Sequence, residues 1–158
     1  MTEGSIAEAL IAEHHEIDTG IENFLRKVGE LGDSPEPQQI RQAGSELLRS
    51  FSALRRHIYL EEEFIFPALD DPSLSMAIMV MYREHGVIWR LMDDAQQQIE
   101  RSEDSLAVLD ICKTMLAELE RHNAKEEPII YPHTDADLPK AEQERLARFL
   151  DSGQMPAG

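Results

Sequence analysis

Two stretches of this chain repeat one another, and that repetition limits the fold more than any other feature. His57-Ile-Tyr-Leu-Glu61-Glu62-Glu63-Phe64-Ile65-Phe66-Pro67 is answered by His122-Asn-Ala-Lys-Glu126-Glu127-Pro128-Ile129-Ile130-Tyr131-Pro132. Each has a His, Glu-Glu starting four residues later, an apolar run, an aromatic and a proline. Upstream, Glu13-His14-x-x-Ile17 is matched by Glu84-His85-x-x-Ile88. Two halves, about 12–67 and 83–132, thus carry the same signals in the same order.

The residues between these signals have helical spacing. Ser5 and Glu8 form a capping box, and Leu10, His14, Ile17, Ile21 and Leu25 follow on one stripe. Gly29, Gly32 and the prolines 35 and 37 make a turn. A second helix starts near Pro37 and points Leu47, Phe51, Leu54, Ile58, Glu61 and Ile65 inward until Pro67. A third starts at Ser73 or Ser75, with Ile78, Met81, Tyr82, His85, Ile88, Met92 and Ile99 on its stripe. After the polar break at 102–105, a fourth carries Leu106, Leu109, Cys112 or Met115, Leu119, His122 and Glu126. Pro128 can kink it. Residues 133–137 are expected as a loop, 138–150 as a short amphipathic helix, and 152–158 as a frayed tail. The fold expected is all-α: an antiparallel up-down-up-down four-helix bundle with a short C-terminal helix. The chain is expected to be one domain over 1–158, with its core at about 5–134.

Helix depth brings the four His residues to one level. His14 and His57 lie roughly 23 and 30 Å from the first hairpin turn at ~1.5 Å per residue, and His85 and His122 match in the second. His57 and Glu61 share a face, as do His122 and Glu126. A single His-x-x-x-acid would mean little, since four of the six His have one. Four imidazoles and two carboxylates buried at one level are costly without a cation. The candidate metal ligands are therefore His14, His57, Glu61, His85, His122 and Glu126. This nitrogen–oxygen set suits iron, manganese or zinc, and two bridging carboxylates fit two metals. Glu62, Glu127, Glu13 and Glu84 are read as surface or ligand-orienting acids. Tyr59, Tyr82 and Tyr131 are read as packing residues, His15 and His133 as exposed, and Trp89 as closing the pocket.

Composition excludes other classes. The 31 acidic against 15 basic residues give a formal charge of -16, which disfavours nucleic-acid and anionic-membrane partners. The single Cys112 cannot form an internal disulfide and fits a reducing compartment. No apolar run approaches membrane-spanning length. A cytoplasmic location is expected.

The order His, His-x-x-x-Glu, His, His-x-x-x-Glu across four helices resembles the hemerythrin family in its bacterial cation-binding HHE form, over about residues 8–134. The resemblance implies two non-haem iron ions joined by an oxo or hydroxo bridge. Those six residues would be the ligands, with Glu61 and Glu126 as bridges. It also implies binding of dioxygen or of a related small ligand, nitric oxide or peroxide, in sensing, iron handling or oxidative-stress response. Two departures stand out. Oxygen-carrying members resemble His-x-x-x-His on the third helix, where this chain has Met81, and they end with His-x-x-x-x-Asp. Tyr82, Glu62, Glu127 or water is expected to fill the missing place. A catalase- or oxidase-like enzyme and a metal-stabilised regulatory bundle are the competing function classes.

Overall fold

The computed structural model describes residues 5–32, 35–101 and 105–155. Four long helices form the frame: α1 (Ile6–Glu30), α2 (Pro37–Leu60), α3 (Ser75–Arg101) and α4 (Ser105–Ile129). Two short ones follow, α5 (Tyr131–Ala136) and α6 (Lys140–Ser152). The long helices pack in a closed ring, α1 on α2, α2 on α3, α3 on α4 and α4 on α1. No strand occurs among the described residues, and the all-α bundle expected from periodicity is the architecture found.

Local chemistry sets the helix ends. Ser5 accepts from the Glu8 backbone N–H while the Glu8 side chain accepts from the Ser5 N–H, the predicted capping box. Pro37 opens α2, where its missing donor costs nothing. Gly32 ends the first hairpin's helix at φ 89°, a conformation that favours glycine. Residues 33–34 and 102–104, parts of the two predicted breaks, and 156–158 of the tail lie outside the described residues.

The core divides into two apolar layers with the polar site between them. One contains Ile17, Ile21, Phe51, Leu54, Ile58, Ile88, Met92, Met115 and Leu119. The other contains Leu10, Leu60, Ile65, Phe66, Met81, Tyr131, Leu146 and Phe149, and it is completed by α6. Cys112 is buried, and burial pushes its thiol up to about 12.

Three expectations need correction. Residues 133–136, expected within a loop over 133–137, belong to helix α5: Pro132 starts the turn, and the His133 carbonyl accepts from the Asp137 N–H. Tyr82 and Leu106 are exposed rather than inward. Tyr82 follows buried Met81 by one residue, about 100° around the helix, and so leaves the stripe. His133 is partly covered and paired with Asp137 instead of free in solvent.

Candidate metal centre

One long helix or its extension supplies each imidazole. His14 comes from α1, His57 from α2, His85 from α3 and His122 from α4, all at most 5% exposed. Glu61 and Glu126 are fully buried between them. The chain after Leu60 widens into a π turn at Glu61–Ile65, where the Phe66 N–H reaches back to the Glu61 carbonyl. This lets neighbouring acids serve one imidazole: Glu61 Oε1 lies 3.0 Å from His85 Nε2, and Glu62 Oε2 lies 2.8 Å from His85 Nδ1.

Every imidazole is held from behind by a carboxylate on another helix. Glu13 meets His57 Nδ1 at 2.8 Å, Glu62 meets His85 at 2.8 Å, Glu84 meets His122 at 2.9 Å, and Glu127 meets His14 at 2.8 Å. An ionised carboxylate only accepts, so each Nδ1 carries the hydrogen and each Nε2 faces the centre. These four acids each adjoin an inner-cluster residue in the sequence. Glu62 and Glu127 therefore do not replace the missing third-helix His: they act from outside the ring. Tyr82 does not replace it either, being exposed and packed edge-on against Phe66.

The inward atoms form two overlapping clusters, His14–His57–Glu61–Glu126 and Glu61–His85–His122–Glu126, each with donor atoms within 4.8 Å of one another. The six sequence-predicted residues thus converge, with both carboxylates common to both clusters. Charge is concentrated here. Burial opposes a proton on His57, but Glu61 and the bond to Glu13 outweigh it and hold its pKa at about 10. Burial likewise opposes a charged His85, and the neighbouring Glu61 and Glu62 carboxylates raise it to about 9. His122 is raised by Glu126 against the effect of burial. Burial would raise Glu61, yet His57 and His85 pull its carboxyl well below the usual range.

Some buried atoms lack a hydrogen bond: Glu126 Oε2 has no partner, and Glu61 Oε1 and His85 Nε2, 3.0 Å apart, face each other without hydrogen-bond geometry. Such orphans are costly in a protein interior. A cation is the group that would satisfy carboxylate oxygens and a neutral imidazole nitrogen at one place, so the residues fit a metal.

Sequence reasoning missed Tyr131. Its hydroxyl lies 2.6 Å from Glu61, 3.0 Å from Glu126, 2.8 Å from His14 Nε2 and 2.9 Å from His57 Nε2. Burial, then the Glu126 and Glu61 charges, push its phenol well above the usual range. Its place in the repeated stretch, matched to Phe66, was the available signal.

On the other side of the cluster lies a cavity of about 10 Å³, lined by Ile17, Leu54, Ile58, Ile88 and Leu119 and by the inner His residues. Asp18 and Asn123 line it as well, and with His14 they also line a second pocket, whose other walls are His15, Glu120, Ala124 and Glu127. Trp89, expected to close the pocket, is partly buried and packs against the apolar layer.

A four-helix bundle with a histidine–carboxylate centre between its apolar layers is a candidate cation-binding domain. The family model of the hemerythrin HHE cation-binding domain matches residues 5–134, and the chain belongs to that family. Comparison with curated proteins and with solved structures gave no match. Among the described residues no helix is long and apolar enough to cross a membrane.

Proposed function

We propose that the chain is a non-haem di-iron protein that binds a small ligand, dioxygen, nitric oxide or peroxide, in the cytoplasm. The observation that carries this is the pair of clusters sharing Glu61 and Glu126, each carboxylate with a buried oxygen that makes no hydrogen bond. Two cations held between these residues would engage the inward imidazole nitrogens and carboxylate oxygens. The ligands would be His14 and His57 for one iron, His85 and His122 for the other, and Glu61 and Glu126 for both. When bound, iron supplies electrons to dioxygen or peroxide and an exchangeable coordination position for nitric oxide.

The chain's own residues do the rest. Glu13, Glu62, Glu84 and Glu127 fix each imidazole with Nε2 inward. Ile17, Leu54, Ile58, Ile88 and Leu119 keep bulk water away. The cavity has room for about one water-sized molecule, which favours a diatomic or peroxide over a larger substrate. Asp18 and Asn123 mark the way in. Membership in a cation-binding family and the His/Glu donor set support the reading. The buried lone thiol is compatible with a reducing compartment.

The test is elemental analysis of freshly purified protein, with absorption spectra before and after exposure to dioxygen and nitric oxide. Two irons per chain and ligand-dependent spectra are expected. A single tight iron, or zinc with no redox-linked absorbance, would overturn the proposal.

A further inference from the structure

The two halves of the centre differ at one matched position. Aligning the repeats pairs Phe66 with Tyr131, each just before a proline. The matched rings lie beside matched imidazoles: Tyr131 is 5.3 Å from the His14 ring, and Phe66 is 5.8 Å from the His85 ring. The difference between the two sides is a hydroxyl. That hydroxyl has four polar neighbours within 3.0 Å, two of them carboxylates. One O–H hydrogen cannot serve two carboxylates, and a phenol oxygen has at most three hydrogen-bonding positions. Its neighbours are the four members of the first cluster.

We propose that Tyr131 is a phenolate ligand of the cation between His14 and His57, while Phe66 leaves the cation between His85 and His122 without a matching donor. The inference rests on the di-iron reading above and assigns a ligand that the sequence pattern treated as packing. On ligation the O–H bond breaks, an oxygen–metal bond forms, and the proton leaves to solvent. No electron moves. The backbone serves this placement. The chain breaks at Ile130 between α4 and α5, and the Thr134 hydroxyl donates to the Tyr131 carbonyl at 2.6 Å. Asp135 then ties α5 to α1 by accepting from the N–H groups of Ile6 at 2.9 Å and Ala7 at 3.2 Å.

The consequence is an unequal pair. An anionic phenolate favours the ferric state of its own metal. A metal held by His85 and His122, with fewer protein donors, would offer the exchangeable position for the small ligand.

The chain has three tyrosines, and among the described residues the ring contacts of Tyr59 are with Phe64 and Phe149 and that of Tyr82 is with Phe66, away from the six inner ligands, so the assignment can be tested spectroscopically. Iron-loaded, oxidised protein is compared with Tyr131→Phe and with the double variant Tyr59→Phe/Tyr82→Phe, with iron content measured for each. A visible phenolate-to-iron charge-transfer band and enhanced tyrosinate ring vibrations are expected in the parent. Both are expected to persist in the double variant, where Tyr131 is the sole tyrosine. In Tyr131→Phe the band is expected to vanish while the protein still holds iron. Two inequivalent iron environments are expected by Mössbauer spectroscopy of the parent. Absence of the tyrosinate signature from parent protein holding two irons overturns this inference and leaves the di-iron reading standing. Loss of the signature in the double variant also overturns it. Parent protein that binds no iron overturns both.

Discussion

His14 on α1 and Glu127 on α4 meet at 2.8 Å, and this contact closes a ring of carboxylate–imidazole pairs around the bundle. Glu13 joins α1 to His57 of α2, Glu62 follows α2 and reaches His85 of α3, and Glu84 joins α3 to His122 of α4. Each helix both presents an imidazole and, directly or just beyond its end, steadies a neighbour's.

Removing one member of the ring should loosen metal without unfolding the bundle. Glu127→Ala and Glu62→Ala are each expected to weaken metal affinity by about 10- to 100-fold, the usual cost of losing such an orienting carboxylate. Both acids are partly exposed, at 29% and 33%, so their loss leaves no cavity. Competition with a chromophoric chelator measures the change, and far-ultraviolet circular dichroism checks the fold. Unchanged affinity in both variants would show the ring to be incidental.

Acid should release the metal, because imidazole ligates only when Nε2 is free of its proton. Metal content is expected to fall as pH drops below the neutral range. Full occupancy at pH 4 would contradict this. Metal-free protein should respond in the opposite direction at high pH. His57 and His85, raised from the ordinary 6.5 to about 10 and about 9, stabilise the fold fully below 6.5. That contribution disappears as pH rises through 9 to 10. Glu61, held well below its ordinary value, contributes above 4.5 and loses its contribution as pH falls. Denaturant melts of apoprotein across pH 4 to 11 should therefore decline at both ends.

Asp135 acts as a distant cap on α1. Asp135→Ala leaves the Ile6 and Ala7 N–H groups without that acceptor and should cost about 1 kcal/mol. In a chain of this size that lowers Tm by about 2–4 °C. A scanning calorimetry trace showing no shift would mean that solvent replaces the cap.

Asp18 and Asn123 stand between the inner cavity and the second pocket. Asp18→Leu is expected to slow nitric oxide association with iron-loaded protein while iron content stays unchanged. Stopped-flow absorption reads the rate, and an unaltered rate would place the entrance elsewhere.

The four helices and the six converging residues were legible because two independent periodicities agreed. Helical spacing put His14, His57, His85 and His122 on apolar stripes, and the duplication put them at equal depths. Tyr131 was not legible for a physical reason. It follows a break in the helix at Ile130, beyond which the i, i+4 rule no longer says where a side chain points. The same break hid α5. The ring of outer acids was only half visible: sequence showed Glu13, Glu62, Glu84 and Glu127 beside inner-cluster residues, but their imidazole partners lie on other helices. Tyr82 and Leu106 were misplaced because an apolar side chain one residue off a stripe, or near a helix start, is not held inward.

The spread of the inner residues from α1 to α5 bears on when the site can be complete. The inner residues span the chain from His14 on α1 to Tyr131 on α5, and Asp135 and the Tyr131–His14 contact both tie α5 back to α1. A ribosome that has exposed only the first hairpin offers a cation half of its imidazoles and a single carboxylate. Complete occupancy by a cation would therefore wait until α5 has been made and has docked on α1.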